Sequence, residues 1–287
     1  MRHALLPLAL SAVLAAPMAW ASSHGQGQPA PAPAAAIEAG LAPILAGDWR
    51  TTENVARDRY RHPAATLAFF GIEPGMTVVE VSPGGGWYTD ILAPWLRAEG
   101  QLVAALNDPT KAANERAAGF FTRQNQALRE RLAAHPAVFD QVRLIEVDPA
   151  APVYGEPGSA DAVLTFRNLH GWMRNGQAEA QLQAFFAVLK PGGVLGVEQH
   201  RALADVPVEQ IDGYVSEAQV IALAEAAGFV LEARSEINAN PRDDRDHPNG
   251  VWTLPPTLNV PEGEDRAQFI AIGESDRMTL RFRKPGG

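Results

Sequence analysis

The sequence predicts an α/β protein built on a doubly wound, mostly parallel sheet of seven strands, with a helical extension on its N-terminal side. Three observations carry that prediction. Strand-like and helix-like stretches alternate from residue 77 to residue 283, and parallel strands need crossovers of this kind. Residues 77 to 94 read as strand, glycine turn and helix in immediate succession. A chain of 287 residues with 46% hydrophobic content can bury one full α/β core.

The first residues stand apart from that core. Met1-Arg2-His3 is a weakly positive start, residues 4 to 16 are an apolar run of signal-peptide length, and Ala19-Trp20-Ala21 is an A-x-A cleavage signal. Residues 1 to 21 are therefore expected to be a cleavable signal peptide, cut after Ala21. The product is expected in the periplasm or outside the cell, with no stable membrane insertion after cleavage. Residues 22 to 47 are expected to be a linker and docking segment. Its first part, to residue 36, is a Pro/Ala/Gly-rich tether, and residues 37 to 45 form a short docking helix. The main domain is expected over residues 48 to 287.

Within it, residues 48 to 60 read as a charged helix with Trp49 and Val55 as anchors. Pro63 suits the first turn of a helix that Gly71 ends, and Pro74-Gly75 turns the chain into the strand 77 to 81. Strands follow at 101 to 106, 142 to 147, 160 to 166 and 194 to 198, and the sheet is completed by 229 to 237 and 277 to 283. Residues 110 to 133 read as a long polar helix with Phe120, Phe121, Leu128 and Leu132 on its buried side. Residues 177 to 189 form an amphipathic helix that Lys190-Pro191-Gly192-Gly193 stops. Ser216 and Gln219 make a capping box for a helix ending near Ala227. Residues 238 to 275, rich in Pro, Asp and Asn, are too long for a routine hairpin.

A formal net charge of −9 argues against a nucleic-acid surface. Without cysteine there is no disulfide framework, no thiol nucleophile and no cysteine metal site. Carboxylates and one histidine sit together at Asp243, Asp244, Asp246 and His247, but Arg242 and Arg245 are interspersed. That mixture reads as a self-neutralising surface loop, and no metal site is expected. Arg57, Arg61 and His62 lie upstream and could fold over the glycine loop, but a solvated helix face is the default reading.

The chemistry-bearing stretch is T-V-V-E-V-S-P-G-G-G-W-Y-T-D. Glycines let main chain approach a ligand closely, and a following helix start offers free N–H groups. The spacing is not the G-x-G-x-x-G of dinucleotide folds, which disfavours a nicotinamide oxidoreductase. It resembles the first motif of class I S-adenosylmethionine (SAM)-dependent methyltransferases, an acid followed by glycines two, four and six residues later. Here the acid is Glu80 and the three positions hold Ser82, Gly84 and Gly86. Ala160-Asp161-Ala162-Val163-Leu164-Thr165-Phe166 resembles the fourth-strand motif of that family. Leu189-Lys190-Pro191-Gly192-Gly193-Val194-Leu195 resembles its junction into the fifth strand, and Leu223 to Phe229 its junction into the sixth. With R-H-P upstream and a leader, P-G-G-G-W-Y-T resembles a group of exported predicted methyltransferases.

The resemblance implies a Rossmann-like methyltransferase fold, SAM as cofactor, and a methyl acceptor that is a small molecule or envelope component. By position it implies that Glu80, Ser82, Gly84, Gly85 and Gly86 lie against the cofactor's amino-acid part. The family's ribose acid has Leu106 in its place here, leaving Asn107 or Asp108 to substitute. Asp148 matches the acid that meets the adenine, and Phe166, Arg167 and Asn168 would line the inner side. His170 stands where a general base is available, or where a histidine anchors its loop; Tyr88 faces ligand or packs. The second functional reading is a periplasmic ligand-binding module that keeps the fold without transfer.

Overall fold

The computed structural model describes residues 34 to 286 together with Met1. The leader, and the tether before residue 34, lie outside the described residues. The first helix, α1 (Ala34–Leu45), starts three residues earlier than expected because Ala34-Ala35-Ala36 are strong helix formers. It buries Ile37 and Leu41 in one cluster with Leu67 and Phe70 of α4 (Pro63–Phe70) and Leu92 and Leu96 of α5 (Thr89–Leu96).

The expected charged helix over 48 to 60 is broken into two single turns, α2 (Thr52–Val55) and α3 (Asp58–Arg61). Thr51 caps the first, and the buried Arg50 clamps Asp58 with two hydrogen bonds of 2.7 Å. Trp49 anchors as predicted, donating its indole N–H to the Asp90 carbonyl at 2.9 Å, whereas Val55 is exposed. His62 takes a left-handed φ of 40° between α3 and α4, and Pro63 opens the next helix.

The sheet strands are β1 (Thr77–Val81), β2 (Gln101–Asn107), β3 (Arg143–Val147), β4 (Ala160–Phe166), β5 (Leu189–Ala202), β6 (Val215–Ser216), β7 (Val230–Ser235) and β8 (Arg277–Arg283). Their order is β3-β2-β1-β4-β5-β8-β7, with the two-residue β6 pairing off β5. Only β8 runs antiparallel to its neighbours on that path. The predicted seven strands are all present, and β6 is the addition. β5 outruns its predicted span at both ends because Leu189 pairs with Ala160 of β4 and residues 199 to 202 pair with β8 and β6.

Alternating side chains of β1 point to opposite faces. Val79 and Val81 join the layer of α9 (Ala178–Val188) and α10 (Glu217–Ala226), while Val78 joins the layer of α1, α4, α5 and α6 (Glu115–Ala134). The predicted capping box is present at the start of α10. On α6, Leu128 and Leu132 are buried as expected, but Phe120 is 48% exposed. The helix is also shorter than predicted: Asn114 caps it, after a 3₁₀ turn at Pro109–Lys111. Short helices α7 (Pro136–Phe139), α8 (Leu169–Arg174) and α11 (Arg266–Ile272) complete the chain. Among the described residues, no helix is long and apolar enough to cross a membrane. Strand order reverses between β1 and β4, and their carboxyl ends mark the place where open α/β sheets hold ligands.

Candidate functional site

A cavity of about 1350 Å³ opens at that reversal. One half is formed by the ends of β1 and β2 and the turn into α5. In this turn Ser82, Gly84 and Gly86 all have positive φ, 48°, 60° and 79°. These are the second, fourth and sixth positions after Glu80, so the spacing reflects a backbone that goes left-handed at every other residue. Ser82 holds that conformation without being glycine, which costs about 1–2 kcal/mol. Its N–H bonds to Ala105 and its hydroxyl accepts from Asn107 at 3.2 Å, which keeps it there.

The three glycines differ. A Cβ built on Gly84 or Gly85 would meet nothing within 4 Å, and both line the cavity. A Cβ on Gly86 would lie 2.7 Å from Leu128 Cδ1. Gly86 is therefore a packing glycine under α6, and the bare main chain facing the cavity belongs to Gly84 and Gly85.

Glu80 also lines the cavity, and it is buried. Its Oε2 accepts from the Thr89 hydroxyl at 2.7 Å, and among the described residues no cation pairs with it. Burial pushes its carboxyl up to about 8. A buried acid beside an open, glycine-floored space is suited to a ligand cation such as an ammonium. Asn107 lines the same half; its side-chain N–H is committed to Ser82, its main-chain carbonyl accepts from Asn125, and its Oδ1 has no protein donor among the described residues. Asp108 faces away, capping Thr110, and Asp148 turns its Oδ1 to the N–H of Ala150; neither lines the cavity, although Pro149 and Ala150 do.

The other half is built from β4, β5, α3 and residues returning from the long excursion. Arg167, just past β4, has φ 63° and donates from Nη1 to Glu198 at 2.8 Å. Asn168 ties β4 to β1 by donating to the Val81 carbonyl at 3.0 Å. The Tyr88 ring stacks on Phe166 with centroids 3.6 Å apart, and its hydroxyl donates to Glu198 at 3.0 Å. Burial and the nearby Glu198 carboxylate raise Tyr88 well above the usual phenol range, so it stays a neutral donor.

Gln199 decides what His170 presents. Its amide nitrogen donates to the Gly213 carbonyl at 2.9 Å, which fixes the amide orientation, and the same nitrogen lies 3.3 Å from His170 Nδ1. Nδ1 therefore accepts, and the neutral ring carries its proton on Nε2. Burial lowers His170 to about 4. It is a neutral N–H donor rather than the base that the sequence allowed. Trp172 lines the cavity too, but packs its ring against Phe185.

No protein-family model matches the chain, and no curated protein matches it in sequence. Solved structures do. A SAM-dependent methyltransferase from Aquifex aeolicus is similar over 80% of this chain and 93% of its own, with 16% identity and a TM-score of 0.52. The [4+2]-cyclase SpnF is similar over 88% of this chain and 94% of its own, with 16% identity and a TM-score of 0.56. The fold is the Rossmann-like methyltransferase fold. At these identities the likeness extends to the fold alone, and the cyclase shows that the fold is not tied to one reaction.

On this methyltransferase fold the site has a second layer that the default sequence reading did not include. Arg57 and Arg61, read as a solvated face, are bound to Glu274 through their Nε atoms at 2.6 and 3.0 Å, and Arg61 is buried with its guanidinium 4.7 Å from the Trp87 ring. Arg277, 1% exposed, bridges Glu274 and Glu198. His200 lines the cavity with its Nδ1 2.6 Å from the Ser275 hydroxyl, and Trp252 reaches it from the excursion. The excursion is not a surface loop throughout. Asp243 and His247 are buried and hydrogen-bonded to each other at 2.8 Å, with Tyr214 also donating to Asp243. Arg245 pairs with Asp276, outside its own segment, because the loop folds back onto β8.

Proposed function

We propose that the protein is a SAM-dependent methyltransferase acting, after export, on a small-molecule or envelope acceptor. The observation that supports this most is the pairing of bare main chain at Gly84 and Gly85 with an unpaired, buried Glu80 in one cavity. When bound, SAM supplies an activated methyl group, and transfer gains chiefly from alignment.

The residues then divide the work. Glu80 receives the cofactor's ammonium, and Asn107 Oδ1 is the acceptor left for a ribose hydroxyl, with Asp108 turned away. Pro149 and Ala150, held by Asp148, form the rim on the adenine side. Tyr88 and Phe166 form a rigid aromatic wall, and Ser82 and Asn168 keep the ends of β1, β2 and β4 in register. His170 offers Nε2–H to the acceptor and holds it in place. It does not ionise between pH 5.5 and 8, so a rate step carried by His170 should be flat over that range; a rise with an apparent pKa of about 6 to 7 that vanishes in His170→Asn would restore the base role.

A second reading, a ligand-binding module without transfer, is favoured by one feature: no carboxylate from the end of β2 reaches the cavity. Calorimetric titration of the protein with SAM and with S-adenosylhomocysteine tests the proposal. Binding of both, followed by labelled methyl transfer into a periplasmic extract, is expected. Silence with both ligands at millimolar concentration overturns the enzyme, and binding without turnover supports the module. N-terminal sequencing of the exported protein should begin at Ser22; a retained Met1 removes the export step.

A further inference from the structure

The half of the cavity away from the glycine turn carries a fixed excess of positive charge. Four guanidinium groups, Arg57, Arg61, Arg167 and Arg277, share two buried carboxylates, Glu198 and Glu274. Four positive charges against two negative leave two uncompensated. Tyr88, His170 and His200 are neutral at pH 7 and offset nothing. The neighbouring acids Asp58 and Asp90 are already held, by Arg50 and Arg131.

That excess is turned to the cavity. Arg57, Arg61 and Arg167 line it, while Arg277 sits behind them. Each of the three commits one side-chain nitrogen to a glutamate. Among the described residues nothing accepts from the others. Arg61 is the most telling: its side chain is only 5% exposed, yet Nη1 and Nη2 have no protein partner. Arg61 lines the cavity, and a ligand or water there is what these two donors can reach.

We propose that this half of the cavity binds the acid group of the methyl acceptor, a carboxylate or a phosphate monoester, through Arg61, Arg57 and Arg167. The inference rests on the methyltransferase reading. A guanidinium fork matches both anions, and three guanidinium groups fixed by buried glutamates are in place before the ligand arrives. Burial and the repulsion of Arg167 bring Arg61 down to about 9, a penalty that an incoming anion relieves. Trp87 and Trp252 give the acceptor's carbon skeleton an aromatic surface beside the charges. The cofactor's own carboxylate is the other source of such a group, and the test separates the two.

The protein is titrated by calorimetry with inorganic phosphate and with benzoate, alone and then saturated with S-adenosylhomocysteine. The proposal expects at least one probe to bind, to keep binding in the saturated protein, and to lose roughly tenfold or more in affinity in Arg61→Gln. Arg167→Gln should behave alike, and decides the matter if circular dichroism shows Arg61→Gln unfolded. Failure of both probes with the unmodified protein overturns the inference. So does loss of probe binding on saturation together with a matching loss of adenosylhomocysteine affinity in Arg61→Gln, which assigns the arginines to the cofactor. A protein that binds the probes but not adenosylhomocysteine sinks the methyltransferase reading instead, and leaves the anion site standing.

Discussion

The two halves of the cavity are built on opposite principles. The glycine side is made mostly locally, from residues 80 to 89 with the end of β2 beside them, and its polar groups are left nearly bare: two glycines whose Cβ positions are open and one buried acid held by Thr89 alone. The arginine side is made from segments more than 200 residues apart, Arg57 and Arg61 meeting Glu274 across separations of 217 and 213. Its groups are tied to one another before any ligand arrives. One half waits for the ligand to complete it; the other is a scaffold that the ligand only caps.

Removing the scaffold's centre should have the largest effect. Arg277 donates to Glu198 at 2.9 Å and to the Tyr60 carbonyl, and lies 3.3 Å from Glu274. Arg277→Met leaves two buried carboxylates short of a partner, and urea unfolding should show a loss of about 3–5 kcal/mol. A loss below about 1 kcal/mol would mean that the network does not hold the site together. The glycine side should respond in the reverse sense. Gly85→Val places a side chain in open cavity, so stability should change by less than about 1 kcal/mol while SAM affinity falls by roughly a hundredfold or more. Gly86→Ala, strained at φ 79° and meeting Leu128, should lower the melting temperature. If Gly85→Val binds normally, the ligand does not lie on that main chain.

The same division explains what could be read from the sequence. The strands along the chain and the glycine turn follow from local patterns, because β-branched runs, Pro-Gly stops and the capping box act within a few residues. Glu80, Gly84 and Gly85 were legible for that reason. Arg61 was not: in the sequence it is one charge among many in a polar stretch, and its burial depends on Glu274 and Trp87 folding over it. The left-handed residue at Arg167 carries no sequence signal, and at Ser82 the signal is position alone, a serine where the family pattern holds a glycine. A partial hint lay in the excursion itself, whose length exceeds what a structureless loop needs. Trp252 and Glu274 are what it delivers.

The smallest expected effect concerns a single proton, and it sharpens the contrast most. Burial alone would push Glu274 up, but Arg61, Arg277 and Arg57 outweigh it and hold it at about 2. Its stabilising charge is therefore fully present above 4.5 and is lost as pH falls towards 2. Glu80 has no such partner and stands at about 8 against an ordinary 4.5. Between those values the unfolded chain binds fewer protons at this position than the folded one, so Glu80 makes the ligand-free protein less stable as pH rises. A cationic ligand reverses this. At pH 7 the free protein holds Glu80 mostly protonated, and binding an ammonium favours the carboxylate, so a proton must leave. Calorimetry with SAM at pH 7 in buffers of different ionisation enthalpy should therefore report close to one proton released per site. Below pH 8, affinity should rise by up to about tenfold per pH unit. In Glu80→Gln the release should disappear and the dependence flatten, while the melting temperature in acid changes little. A proton release that survives in Glu80→Gln would place the titrating group elsewhere, and with it the cation.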